Sequence, residues 1–167
     1  IQSNGNISDI RRGNGDTLWI ASAYQLLTMN VRTRHVQVAD YRHSDIKDPQ
    51  GMNIQTIYVD NDKQSIWIGT HGNGLLIYDI PNRSLSLKAD LSKYKVHSIY
   101  SINKDNKGNI WLGTDNGLFR MDIETDRLQQ FNKADGAQGQ TYYPFSTFKS
   151  TNGELYFGGN EGFSIIA

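Results

Sequence analysis

Every tryptophan in this chain falls on one repeating register. Trp19, Trp67 and Trp111 each stand inside a short apolar run, and Tyr156 holds the same place in a fourth. The spacings are 48, 44 and 45 residues. The runs read Thr17-Leu18-Trp19-Ile20-Ala21, Ser65-Ile66-Trp67-Ile68-Gly69-Thr70, Asn109-Ile110-Trp111-Leu112-Gly113-Thr114 and Glu154-Leu155-Tyr156-Phe157-Gly158-Gly159. A period of about 45 residues is the mark of a repeat architecture, and it constrains the fold before any single residue is considered.

The flanks repeat with the aromatic. An apolar alternating stretch precedes each one: Ile7 to Ile10, Ile54 to Val59, Val96 to Ile102 and Phe145 to Phe148. A polar turn separates the two, as in Asp105-Asn106-Lys107-Gly108 or Ser150-Thr151-Asn152-Gly153. A Gly-rich turn follows each core run except the first, and then come the apolar stretches Leu26 to Val31, Leu75 to Ile80, Leu118 to Ile123 and Phe163 to Ile166. Short last segments close three of the units: His35 to Val38, Leu85 to Leu87 and Leu128 to Phe131. Period-two alternation, β-branched and aromatic enrichment and Asn/Asp/Gly turns identify strands joined by hairpins. No stretch carries a helical period with caps. Four strands in about 45 residues is the arithmetic of a propeller blade. Ile66, Trp67 and Ile68 are apolar on both faces, as a strand packed between neighbouring sheets requires. The glycine two residues after Trp67 and Trp111 is expected to make room for a neighbour. A β-sandwich or an open solenoid built from the same hairpins is the alternative architecture.

The expected fold is therefore all-β: a β-propeller fragment of about four blades, each a four-stranded antiparallel sheet, the last incomplete. Blades are expected at 1–43, 44–90, 91–137 and 138–167. The chain starts at Ile1 rather than Met and its fourth unit lacks a last strand. It is thus expected to be part of a larger ring, with Ile1 to Asn6 a poor source of the missing strand. The open blade edges could then pair with the remaining blades of a parent chain or with a second copy.

Seventeen Lys plus Arg balance seventeen Asp plus Glu. A neutral chain supplies no bulk field for nucleic acid or an anionic membrane surface. No apolar run is long enough to span a bilayer, so no direct membrane contact is expected. With no cysteine, disulfides, thiolate metal sites and cysteine nucleophiles are excluded.

The unit Asp-x-x-Gly-x-[Ile/Leu]-Trp-[Ile/Leu]-Gly-Thr-x-x-Gly-Leu-x-x-x-Asp, seen here as Asp105 through Asp122, resembles the two-component regulator propeller repeat. The third repeat fits throughout, and the second has Gln64-Ser65 in its turn. The first has Ala21-Ser22-Ala23-Tyr24 in place of Gly-Thr-x-x-Gly. The fourth is similar to the last propeller repeat of such sensors. The resemblance implies the extracytoplasmic sensor region of a hybrid two-component system of gut Bacteroides-type bacteria. There, paired seven-bladed propellers precede an immunoglobulin-like domain, a membrane helix, a histidine kinase and a DNA-binding receiver. It implies a periplasmic location, an oligosaccharide ligand, no cofactor and no catalysis in these blades.

Candidate ligand residues come from the turns after the core runs, because one ring face of a propeller gathers such turns. They are His71 and Asn73, Asp115 and Asn116, and Asn160 and Glu161, which would offer donors and acceptors to sugar hydroxyls. Tyr142 and Tyr143, in the long connection Asn132 to Tyr143, are candidates for stacking on a sugar ring, Tyr142 the foremost. Turn propensity explains the same residues without a ligand. Arg11, Arg12, Arg32, Arg34, Arg42 and His43 make the first repeat basic. They fit either an acidic sugar or solvated strand edges. Asp60-Asn61-Asp62 and Asp105-Asn106-Lys107-Gly108 lack the bidentate Glu of a calcium loop, so no metal site is expected. No catalytic residue is expected either. A lyase or glycoside hydrolase would need a His, Glu or metal cluster, and only His71, Asp115 and Glu161 come near. A purely structural set of blades is the third possibility.

Overall fold

The computed structural model describes residues 5–48 and 51–167. The expectation for Ile1 to Asn6 therefore falls mostly outside the described residues, as does Pro49. The chain divides into two compact units, Ile1–Leu91 and Ser92–Ala167.

The first unit holds two sheets. Strands β1 (Ile7–Arg12), β2 (Thr17–Ser22), β3 (Leu26–Asn30) and β4 (Val36–Val38) form the first in simple up-and-down order. The second comprises β5 (His43–Ser44), β6 (Ile54–Asp60), β7 (Ser65–Thr70), β8 (Leu75–Asp79) and β9 (Ser84–Ala89), in the order β5-β9-β8-β7-β6. In the second unit, β10 (Ile99–Lys104), β11 (Ile110–Thr114), β12 (Gly117–Asp122) and β13 (Arg127–Phe131) make a four-stranded sheet. Strands β14 (Tyr142–Lys149), β15 (Leu155–Gly159) and β16 (Gly162–Ile166) make a three-stranded one. The fold class is all-β, and the sheets are propeller blades, as the repeat predicts.

Three local features differ from the expectation. The pair β5–β9 is parallel and gives the second sheet a fifth strand. Two 3-10 turns occur, at Ser92–Tyr94 and Lys133–Asp135. Strand β10 begins at Ile99 rather than Val96, because the N–H groups of His97 and Ser98 donate to the Asp115 carboxylate instead of a ladder.

Within each unit the leading strands meet, β1 against β6 and β10 against β14. All four leading strands carry a register irregularity: Ile7/Asp9, Ile54/Thr56, Ile99/Ser101 and Tyr142/Thr147. A bulge of this kind bends a strand and re-aims its side chains. In the first unit Trp19, Ala21 and Leu26 pack with Ile54, Ile57, Ile66, Ile68 and Leu76. In the second, Trp111 and Leu118 pack with Tyr142, Leu155 and Phe157. Strands β7 and β11 are buried at every position, which is why their sequences are apolar on both faces.

The repeated polar residues have local duties. Asp105 accepts from the Trp111 indole N–H at 2.9 Å, fixing the β10–β11 turn to the core strand. A Cβ on Gly113 would collide with Ser101 and stand 3.2 Å from both Phe157 and the Tyr142 Cβ, so the close approach of β14 and β15 requires glycine. Thr114 Oγ1 donates to the Gly117 carbonyl at 2.8 Å and accepts from Asn116 N–H, stapling the next turn. Gly117 has φ of +113°, which a side chain rarely adopts. Asp122 accepts from the N–H groups of Glu124 and Thr125 and closes the last hairpin. Thr70 and Ser22 repeat the staple of Thr114, and Asp79 and Asn30 repeat the cap of Asp122.

Candidate functional site

The sequence-predicted ligand residues divide between the units. His71 and Asn73 lie in the first, and Asp115, Asn116, Tyr142, Asn160 and Glu161 in the second. His71 is exposed, and its N–H donates to the Asn53 carbonyl at 2.9 Å. Asn73 donates through Nδ2 to the Met52 carbonyl at 3.1 Å. Asn116 does the same in the second unit, donating to the Tyr94 carbonyl at 2.7 Å. Both amides therefore brace the segment that leads into their own sheet.

Asp115 is committed in a similar way. It receives the N–H groups of His97 at 3.0 Å and Ser98 at 3.1 Å, with His97 Nδ1 at 3.3 Å. Tyr142 corrects the expectation of a stacking platform. Its side chain is fully buried, its ring stands edge-on to Phe157, and its hydroxyl lies 2.7 Å from Ser164 Oγ. Burial raises the Tyr142 hydroxyl pKa, against the lowering effect of Ser164 and Gln138. The ring is core because β14 begins at Tyr142 and turns that side chain inward.

Asn116 and Glu161 do come to a common place. A cleft of about 380 Å³ is lined by Asn116, Gly117, Gln130, Asn132, Lys133, Gly139, Gln140 and Glu161. The β11–β12 turn, the end of β13 with its following 3-10 turn, the Gly139–Gln140 stretch and the β15–β16 turn supply the walls. The volume is within the range of roughly 300–1,000 Å³ for small-ligand sites. Gln130 Nε2 donates to the Asn116 carbonyl at 2.9 Å, and Gln140 Nε2 to Asn116 Oδ1. Lys133 forms an ion pair with Glu161. The turn that carries Lys133 has a capping box, in which Asn132 Oδ1 accepts from Ala134 N–H and Asp135 returns a bond to Asn132 N–H. Gln138 Oε1 holds the Glu161 N–H at 2.8 Å, replacing the Thr staple that Gly159 lacks. Asn160 is exposed next to Glu161 and is not among the lining residues.

Four amides line the cleft, and sequence reasoning found only one of them. Gln130 sits in a strand and Gln140 in a loop, neither with a turn signature. Asn132-x-x-Asp135, the capping signal before the short turn, is the one cue that was readable. No aromatic ring is among the lining residues. Neither Asp115 nor Glu161 is an unengaged carboxylate of the kind a hydrolase pair needs.

Three of the basic residues of the first repeat, Arg11, Arg32 and Arg42, are in ion pairs. Arg11 meets Asp9 at 3.0 Å, Arg32 meets Asp16 at 2.7 Å, and Arg83 and Arg42 share Asp40. Among the described residues no cluster of three His, Asp or Glu side chains is arranged for a metal ion. No helix among them is long and apolar enough to cross a membrane.

Asp105 of the β10–β11 turn has a measurable consequence. Burial pushes its carboxyl upward, but hydrogen bonds from Trp111, Asn109 and Lys107 outweigh this and hold it below its ordinary 3.8. A depressed carboxyl stabilises the fold above the unfolded value, and that contribution disappears as pH falls through the folded one. Asp105→Asn is therefore expected to lower stability at neutral pH and to flatten its fall below about pH 3.8. Denaturation midpoints measured from pH 7 to 2.5 test this, and parallel curves for the two proteins would refute it.

The fold and the site define a class: propeller blades carrying a polar cleft, with no catalytic constellation among the described residues. The comparisons agree on the propeller blades. The family described as two component regulator propeller matches residues 48–72 and 93–116, the segments around Trp67 and Trp111. These two segments are two-component regulator propeller repeats. A histidine kinase of Formosa agariphila (Histidine kinase P4) is 31% identical over 68 residues, 41% of this chain and 5% of that protein. The extracellular domain of a hybrid two-component system from B. thetaiotaomicron superposes with a TM-score of 0.73 at 21% identity, over 99% of this chain and 24% of its own. That of a one-component system from the same organism gives 0.59 at 19%, over 99% and 28%. At these identities the likeness is one of fold. The chain spans only a small part of each of these proteins.

Proposed function

We propose that this chain is a ligand-recognition part of the periplasmic sensor region of a hybrid two-component histidine kinase, and that it responds to oligosaccharides released from glycans. The observation that carries the reading is the amide-lined cleft that starts at Asn116, where a segment matching the two-component regulator propeller repeat ends. Side-chain amides offer fixed donors and acceptors to hydroxyl groups without bringing a charge. The extracellular placement of the similar B. thetaiotaomicron domains supports the compartment. The chemistry of signalling would belong to the rest of the parent chain, whose further blades are the proposed neighbours of these. Ligand binding would act by shifting the population of blade arrangements.

Isothermal titration of the chain against a panel of defined oligosaccharides tests this. Saturable binding is expected, weakened about fivefold by Gln130→Ala or Gln140→Ala, the loss of one hydrogen bond of ~1 kcal/mol. Binding that neither change affects would place the site elsewhere. Absence of binding to every saccharide would refute the saccharide reading.

A further inference from the structure

We infer that the cleft of the second unit selects neutral saccharides over anionic ones; the inference rests on the saccharide reading above. Two independent observations point the same way.

The first is charge. Among the described residues, Lys133 and Glu161 are the only ionisable side chains lining the cleft, and they are paired with each other. The backbone at both ends of the pair is held. The capped turn positions Lys133, and the bond from the Glu161 N–H to Gln138 positions Glu161. A uronate or sulfate group entering the cleft would have to draw Lys133 away and leave the Glu161 carboxylate facing the ligand's own negative charge. A neutral sugar leaves the pair intact.

The second is the orientation of the amides. Gln130 and Gln140 both use Nε2 to hold the β11–β12 turn through Asn116. Each keeps its Oε1, an acceptor, and one further Nε2 hydrogen, a donor, while Asn132, whose Oδ1 takes the Ala134 N–H, keeps its Nδ2 donors. A sugar hydroxyl, which both donates and accepts, can use both kinds of group, whereas a carboxylate can use only the donors and is repelled by the acceptors. Specificity of this kind comes from the unfavourable arrangement imposed on the wrong ligand as much as from contacts to the right one.

The test is a titration of the chain with two oligosaccharides of equal length and linkage, one neutral and one bearing uronate residues. The neutral ligand is expected to bind at least about tenfold tighter, the scale of a like-charge penalty. Glu161→Gln frees Lys133 and is expected to raise the ratio of anionic to neutral affinity about tenfold. Lys133→Met leaves Glu161 unpaired and should lower the same ratio. Two exposed, opposite changes are used so that a folding defect in one cannot imitate the result. Tighter binding of the uronate by the unaltered chain, or a ratio that neither variant moves, would overturn the inference and leave the saccharide reading standing. Binding of neither ligand would overturn both.

Discussion

Replacing Trp111 by alanine is expected to destabilise the protein by about 3–5 kcal/mol, the range for truncating a large buried aromatic. Trp111 is 6% exposed and packs with Leu118, Tyr142, Leu155 and Phe157. Its ring lies 5.1 Å from that of Phe131, on the outer strand of the same sheet. The indole N–H also ties the β10–β11 turn to the sheet through Asp105. Trp111→Phe separates the two contributions. It keeps most of the packing and removes the hydrogen bond to a carboxylate, so a loss of about 1.5–3 kcal/mol is expected. Asp105→Asn in the Trp111→Phe background should then cost less than it does alone, because the two share one interaction. Chemical denaturation followed by far-ultraviolet circular dichroism measures all three. Additive losses would show that the indole N–H does not matter to the turn, and a loss under 1 kcal/mol for the alanine variant would refute its place in the core.

That interaction also explains why the fold was legible in the sequence. The repeat consists of residues whose jobs are local. Asp105 reaches six positions along its own hairpin to Trp111, Thr114 staples the turn it begins, and Asp122 caps the turn it precedes. Local jobs recur at the same place in each unit, so they leave a period. Gly113 is an exception that still showed, because close approach of the next sheet excludes a side chain there. The site was less legible for the opposite reason. Gln130, Gln140 and Lys133 meet Asn116 and Glu161 only through the tertiary fold, and nothing in their local sequence marks them. The turn residues misled in part because a good turn former and a good hydroxyl binder are the same residue types. Asn73 and Asn116 brace backbone carbonyls, and only Asn116 also borders the cleft. Tyr142 was a question of which face of a strand it would occupy, and the irregular register of β14 is not visible in a run of Tyr-Tyr-Pro-Phe. The short parallel strand β5 has no alternation to read, being two exposed residues long.

Asp9→Ala is expected to cost about 2–4 kcal/mol, although Asp9 belongs to no motif. Its side chain is 7% exposed and joins the leading strands of the first unit. Oδ2 accepts from Thr56 Oγ1 and from the Ile57 N–H, each at 3.0 Å, while Oδ1 faces Arg11 Nε at 3.0 Å and the Ile10 N–H at 2.9 Å. Alanine would leave the Ile57 N–H, fully buried in β6, with no acceptor. An orphaned backbone donor of this kind is a cost that no side-chain repacking removes. Arg11 is partly exposed and can turn to water, so losing its ion pair adds little. The expected ranking follows from which bonds survive. Thr56→Val removes one hydrogen bond to the carboxylate and should cost about 1.5 kcal/mol. Asp9→Asn keeps an acceptor but not the charge and should fall between that change and alanine. In a double-mutant cycle, Asp9→Ala and Thr56→Val should show coupling of roughly 1 kcal/mol, because they share a bond. A loss below 1 kcal/mol for Asp9→Ala would mean that apolar packing of Trp19, Ala21 and Leu26 on the second sheet holds the pair of blades together without the polar bridge. The expected larger loss would make the bulge at Ile7/Asp9 a functional part of blade packing, since it is the irregularity that aims this carboxylate at β6.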